Sequence, residues 1–391
     1  MGHGLFINLP ATGHVNPTLA VVRELITRGE RITYYTAEAF REVVTQTGAD
    51  FRAYQRLALG DEARLATNFV RLAAKLIEAG EPLIAEILED GHQPDYVITD
   101  SMTVWGICVA RILDVPTVAS SAVFVFSSAV ARSRPRFLVQ SVGMMVPALP
   151  DVFAFQRAAA RIRERYGIEP PGLMDTFTAD APLNIVYTSR GFQPNGEQFP
   201  EHYTYVGPSI GERPGGEELP DLSGERVVYI SLGTIFNERA DFFRMCFEAF
   251  GGTDLQVVMA VGTRLDIGSL GAVPENIVVR GYVPQLDLLP HVDAFITHGG
   301  MNSVHEGLWF GVPLLVIPQM LEQWLVGQRV VETGAGLLLE NEAVTAAALR
   351  KAVRHLLDEP AFREHAGRLG ESFRAAGGYR RAADAILEYV T

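Results

Sequence analysis

The stretch Phe295–Gln323, FITHGGMNSVHEGLWFGVPLLVIPQMLEQ, places a short apolar run before a Gly pair, then a helical pattern, then a second apolar run. Strand, helix and strand within 29 residues form one unit of a parallel sheet, because parallel neighbours need a crossover between them. The loops of this unit carry His298, Asn302, Ser303, Glu306, Glu322 and Gln323. A scaffold that only had to be buried would not need them. In open parallel sheets such loops lie at the carboxyl edge of the strands, where ligands bind.

Working outward, the same alternation of β-branched runs and helical patterns fills the chain. The first half predicts strands at Gly4–Leu9, Arg31–Thr36, Asp50–Tyr54, Tyr96–Asp100 and Pro116–Ser120. The second predicts them at Arg226–Leu232, Gln256–Val261, Ile277–Val283, Ala294–Thr297 and Pro313–Ile317. The fold class is therefore α/β, with two doubly wound, Rossmann-like domains. The expected division is 1–210, a Gly-, Pro- and acid-rich linker over 211–225, and 226–375, with a closing helix over 376–391 that packs back on the first domain. The first helix is expected to start with Asn16 as N-cap and Pro17 in its first turn, and to end at Gly29.

Bulk properties exclude several classes. At 391 residues, 48% hydrophobic and 20% charged, the chain is globular and long enough for two cores. Its 33 basic against 46 acidic residues leave a net charge of −13, which disfavours a nucleic-acid partner. The basic run Arg157–Arg165 reads as a solvated helix face. Cys108 and Cys246 sit in apolar helical patterns as small buried hydrophobes. No signal peptide is visible, and the longest uncharged run, Val115–Ala131, is shorter than the ~20 residues of a membrane span. A cytoplasmic protein without stable membrane insertion is expected.

The chemistry gathers where first and fourth strands become neighbours. His14 precedes the first helix and Asp100 ends the fourth strand, so the topology brings them together across 86 residues. One reading is a base and its orienting carboxylate; the other is a loop His and a helix-capping Asp. In the second half Thr234 and His298 converge in the same way. Gly299 and Gly300 let backbone approach a ligand, and the following helix start is an anion site. Ser303 and Glu306 also fit an S-x-x-E capping box. The motif G-x-G-x-x-G is absent after the first strand, which weakens a dehydrogenase reading. No D-x-D occurs, so no carboxylate-held metal is indicated. The Met-containing, charge-free stretch Phe137–Pro150, with Phe124 and Phe126 before it, is either a buried helix or an adaptable apolar wall for a ligand, in which Phe124, Phe126, Phe137 and Met144 would face the acceptor.

Tyr282–Gln285 (YVPQ), Thr297–Glu306 (THGGMNSVHE), Gly311–Pro313 and Pro318–Gln323 (PQMLEQ) closely resemble the donor-binding signature of family-1 glycosyltransferases with the GT-B fold. LPATGHVNPTLA, SLGT and AGGYRRAADAI are similar to the bacterial macrolide glycosyltransferase subfamily. The resemblance implies two Rossmann-like domains facing across a cleft, and inverting transfer from a UDP-sugar to a hydroxyl of a hydrophobic small molecule such as a macrolide, flavonoid or phenol. It implies that residue 282 stacks on uracil, with Val283 beside it, and that Gln285 lies against ribose and base. Glu306 would hold the ribose. Thr234, His298, Gly300, Asn302 and Ser303 would bind the diphosphate. Glu322 and Gln323 would bond the sugar, the Gln pointing to glucose. His14 would be the base and Asp100 its partner.

The implied enzyme is a metal-independent hexosyltransferase for which the UDP-sugar is a co-substrate and no cofactor is needed, acting as a monomer or weak homodimer. The family's Trp at the stacking position is Tyr282 here, a smaller platform that leaves UDP and dTDP both open. Two rivals are a GT-B-like nucleotide-sugar epimerase and a non-catalytic nucleotide-sugar-binding auxiliary protein; a His14–Asp100 dyad beside an apolar insertion speaks against both.

Overall fold

The computed structural model describes residues 2–59, 68–127, 130, 133–134, 139, 143, 147–177, 181–211, 218–222, 226–233 and 237–391. The chain divides into two units, one formed by Met1–Gly211 with Ala375–Thr391 and the other by Glu212–Arg374.

The first unit is built on β1 (His3–Ile7), β2 (Arg31–Thr36), β3 (Asp50–Ala53), β4 (Tyr96–Asp100), β5 (Thr117–Ser121), β6 (Leu183–Val186) and β7 (Tyr203–Tyr205). Their order is β3-β2-β1-β4-β5-β6-β7, with parallel pairing throughout. Strands covered on both faces must be apolar on both, and β1 shows it. Leu5 and Ile7 face a core with Ile77, Ile84, Trp105 and Ile162. Phe6 points the other way, into a core with Val22, Leu25, Tyr34, Ile98 and Ile386. Ile386 comes from the C-terminal helix Gly378–Val390, which also ties Asp384 to Arg28 at 2.5 Å.

The second unit contains β8 (Val227–Ser231), β9 (Gln256–Ala260), β10 (Ile277–Arg280), β11 (Ala294–Thr297), β12 (Leu314–Val316) and β13 (Gly336–Leu338), in the order β10-β9-β8-β11-β12-β13. Val228, Ile230, Met259, Ile296 and Leu315 share one core with Phe243 and Val353. In each unit the chain's first strand lies beside its fourth: Ile7 pairs with Thr99, and Ser231 with Thr297.

Three strands, β6, β7 and β13, escaped the sequence reading. At three or four residues each they are too short to display a period. Predicted β10 ran to Val283, but the strand stops at Arg280, so Tyr282 and Val283 lie on the loop at its carboxyl end. The first helix, α1, spans Thr12–Thr27 rather than starting at Asn16, and Pro17 lies inside it. The run Arg157–Arg165 is a solvated face of the helix Leu149–Tyr166, where Arg161 and Arg165 reach Glu81 and Arg163 reaches Glu169. Cys108 and Cys246 are free and buried; burial pushes the Cys108 thiol up to about 12 and raises Cys246 as well, so neither is poised as a nucleophile. No helix among the described residues is long and apolar enough to cross a membrane.

Candidate active site

At the carboxyl edge of the first sheet, the chain leaves β1 at Ile7 and enters α1 at Thr12. His14 therefore sits in the first turn of the helix, where its N–H bonds the carbonyl of Ala11 at 2.9 Å, and not on a loop before it. Its Nδ1 lies 2.7 Å from Oδ2 of Asp100. Asp100 is 0% exposed and His14 12%. The other carboxylate oxygen accepts the N–H of Met102 at 2.8 Å. An ionised carboxylate only accepts hydrogen bonds, so Nδ1 carries the proton and Nε2 is the basic nitrogen. Asp100 is not a helix cap: the helix Val104–Leu113 has Thr103 as N-cap, and the N–H that Asp100 accepts belongs to Met102, ahead of it.

In the second unit the helix after β11, Met301–Trp309, begins with Gly300 as N-cap and has no side-chain cap. Ser303 is already inside that helix, and Val304 N–H bonds Gly300, so the capping-box reading of Ser303 and Glu306 does not hold. Asn302 and Ser303 lie in the first turn, where backbone N–H groups point out of the helix. Glu306, 3% exposed, accepts Gln285 Nε2 at 2.6 Å, which brings together two residues 21 apart in sequence. Tyr282, next to Gln285's loop, is 50% exposed, whereas Val283 is buried.

His298 is enclosed by glycines. A Cβ on Gly233, whose φ is +76°, or on Gly300 would run into the imidazole at under 3.0 Å. A Cβ on Gly299 would meet Val316 and the Gln323 backbone. The chain's own packing also calls for these glycines, which the sequence reading took to let backbone approach a ligand. Burial pushes His298 down to about 4, partly offset by a hydrogen bond with the Ser231 backbone. At neutral pH it is thus an uncharged imidazole whose single N–H is engaged with the Ser231 backbone, not the cation that could neutralise a phosphate by charge.

Glu322 lies in the first turn of the helix Leu321–Glu332. Gln323 is buried, and its Oε1 accepts the Gln319 N–H at 2.8 Å, which leaves the side-chain NH₂ as the donating end. Trp324, unassigned in the sequence, reaches Glu340 through Nε1 at 3.4 Å.

Thr234, Phe137 and Met144 fall outside the described residues. Phe124 is 1% exposed and packs on Phe192 with ring centroids 5.6 Å apart, so it backs the core instead of presenting a face to an acceptor. Phe126 is partly buried against a cluster containing Val125 and Phe199.

Two functional-loop residues were missed. Asn237, buried, donates from Nδ2 to the Gly233 carbonyl at 2.9 Å and so holds the turn beside His298. Asn8, fully buried, donates from Nδ2 to the His14 carbonyl at 3.1 Å. A single Asn in a loop has no spacing partner that would reveal it.

Comparison with known proteins bears on this arrangement. Residues 244–378 match the family described as erythromycin biosynthesis protein CIII-like, C-terminal domain. The chain is 36% identical over 402 residues to the uncharacterized UDP-glucosyltransferase YojK of Bacillus subtilis, covering 100% of this chain and 98% of that one. Among solved structures, the glycotransferase of kitacinnamycin superposes with a TM-score of 0.86 at 28% identity, covering 99% of both chains. CalG4, the calicheamicin glycosyltransferase, gives 0.82 at 32% identity, covering 100% of this chain and 98% of that one. With two parallel α/β units and relatedness along its whole length, the chain belongs to the bacterial family-1 glycosyltransferases of GT-B fold.

Proposed function

We propose that the protein moves glucose from UDP-glucose to a hydroxyl of a hydrophobic natural product by single displacement, converting the α-linked donor into a β-glycoside. The observation that carries the reading is the pairing of His14 with a fully buried Asp100. The acceptor O–H gives its proton to His14 Nε2 as the oxygen attacks the anomeric carbon. The carbon–oxygen bond to the diphosphate breaks, and its electron pair leaves with UDP. Asp100 steadies the imidazolium formed. Negative charge on the departing diphosphate is met by N–H groups at the start of Met301–Trp309.

Tyr282 offers an exposed ring for the base, Glu306 a buried carboxylate for the ribose diol, and Glu322 with Gln323 the contacts to the sugar. Glucose is favoured by Gln323 and by the Bacillus subtilis relative being named a UDP-glucosyltransferase. A complex organic acceptor is favoured by the kitacinnamycin and calicheamicin neighbours. Candidate walls are drawn from the described residues of the Phe51–Leu88 and Phe124–Phe177 segments, without Phe124 itself. UDP release from UDP-glucose, measured across macrolides, flavonoids, simple phenols and thiophenol, tests the reading. Acceptor-dependent release with a β-glycoside product supports it; epimerised sugar without acceptor, or binding without turnover, defeats it.

A further inference from the structure

His14 sits in the first turn of α1, where its own N–H and that of Val15 both bond the Ala11 carbonyl at 2.9 Å. The N-cap of α1, Ala11, supplies no side-chain bond, and Pro17 has no N–H to give back to the first turn. A buried polar cluster lies below the turn and bonds the carbonyls of His14 and Val15. Asn8 Nδ2 lies 3.1 Å from the His14 carbonyl and 2.5 Å from the Tyr34 hydroxyl. Tyr34 and Thr18 hydroxyls are 2.7 Å apart, and Thr18 Oγ1 donates to the Val15 carbonyl at 2.7 Å.

Counting protons sets the direction of every bond. Thr18 has one hydroxyl proton, already given to Val15, so it accepts from Tyr34. Tyr34 has one, given to Thr18, so it accepts from Asn8. Burial raises Tyr34 above its ordinary value, which keeps that proton in place. The two amide protons of Asn8 therefore end, directly and by relay, on the carbonyls of His14 and Val15. The Asn8 backbone is fixed too: its N–H bonds the Tyr35 carbonyl at 3.0 Å, and its own carbonyl accepts Tyr54 OH at 3.0 Å.

We propose that Asn8 is a positioning residue for His14, an amide clamp that keeps the imidazole in register with Asp100. The inference rests on the reading of His14 as the base. Asn8→Asp keeps the shape and leaves at most one donor in place of two, since a buried carboxyl has at most a single O–H. With the best hydroxyl acceptor of the panel, Asn8→Asp should lower turnover about 10- to 100-fold, the scale of a catalytic group moved by a fraction of its reach. KM for UDP-glucose should stay unchanged. With thiophenol, which ionises unaided, the loss should be under about twofold, and in a His14→Ala background Asn8→Asp should add nothing, because effects that act through one group do not add. Tyr34→Phe, which breaks only the relay, should show the same pattern more weakly.

Wild-type turnover in Asn8→Asp, equal losses on both acceptors, or a full additional loss in the His14→Ala background each overturn the clamp; the last two would reveal a merely structural residue. If Asn8→Asp does not fold, Tyr34→Phe decides by the same acceptor split. If His14→Ala alone leaves hydroxyl turnover intact, the base reading fails first and the clamp with it.

Discussion

One histidine stands at the carboxyl edge of each sheet, and the two are held in opposite electrostatic settings. The cause is the residue that ends the fourth strand. In the first unit it is Asp100, whose one oxygen takes the N–H of Met102 and whose other oxygen takes His14. In the second it is Thr297, whose single oxygen takes the equivalent N–H, that of Gly299, at 3.3 Å. The turn is similar; only the carboxylate has a second oxygen and a negative charge left for a histidine. His14 therefore has a counter-charge for its protonated form, while His298 has none and is driven down to about 4. One scaffold thus holds a histidine beside a buried carboxylate in one copy and an uncharged, buried histidine in the other.

The largest expected break in this contrast is His14→Ala. Positioned general bases contribute roughly 10²–10⁴-fold, so turnover on hydroxyl acceptors should fall by about that much, with UDP affinity by calorimetry intact. Asp100→Asn follows: it keeps a hydrogen bond to Nδ1 but loses the charge, so steady-state turnover should fall less than in His14→Ala. A fall larger than that of His14→Ala would mean Asp100 has another duty.

In the second unit, Glu306→Ala should weaken UDP binding by about 1.5–3 kcal/mol, the scale of hydrogen bonds to a charged group. Unchanged affinity would leave Glu306 as a partner of Gln285 alone. Glu322→Ala and Gln323→Ala should depress turnover of UDP-glucose more than affinity for UDP itself, since these residues are assigned to the sugar; equal losses would move them off it.

The smallest effect concerns acid. His298 and His305, the latter packed on Phe373 and pushed down to about 3, are neutral in the fold but titrate near 6.5 when unfolded. The unfolded chain then binds more protons below 6.5, so stability is whole above that value and declines as pH falls toward 4. Thermal unfolding followed across this range should show the decline, and His305→Phe should flatten it.

What was legible follows from physical range. Apolar runs bounded by turn residues located ten strands, and doubly wound topology alone brought His14 to Asp100 across 86 residues. Gln285 and Glu306 were each identified through the family motif. What was not legible lacks a local mark or depends on contacts between distant parts. Helix α1 starts at Thr12 with Ala11 as N-cap and no side-chain cap to mark it, so Asn16 and Pro17 misled. The S-x-x-E pattern over Ser303–Glu306 fitted a cap that the Gly300 turn pre-empts, and Gly300 itself serves the His298 ring. Phe124 looked like a wall residue because composition does not tell which side of a sheet an aromatic ring takes.

The central claim, that His14 with Asp100 takes the acceptor's proton, is tested most directly by one series. Turnover of wild type and His14→Ala is measured against phenols and thiols of rising acidity with UDP-glucose as donor. The account predicts a shallow dependence on acceptor acidity for wild type and a steep one for His14→Ala, the two lines meeting at acceptors that ionise unaided. Parallel lines, with the variant slower by the same factor everywhere, would contradict it.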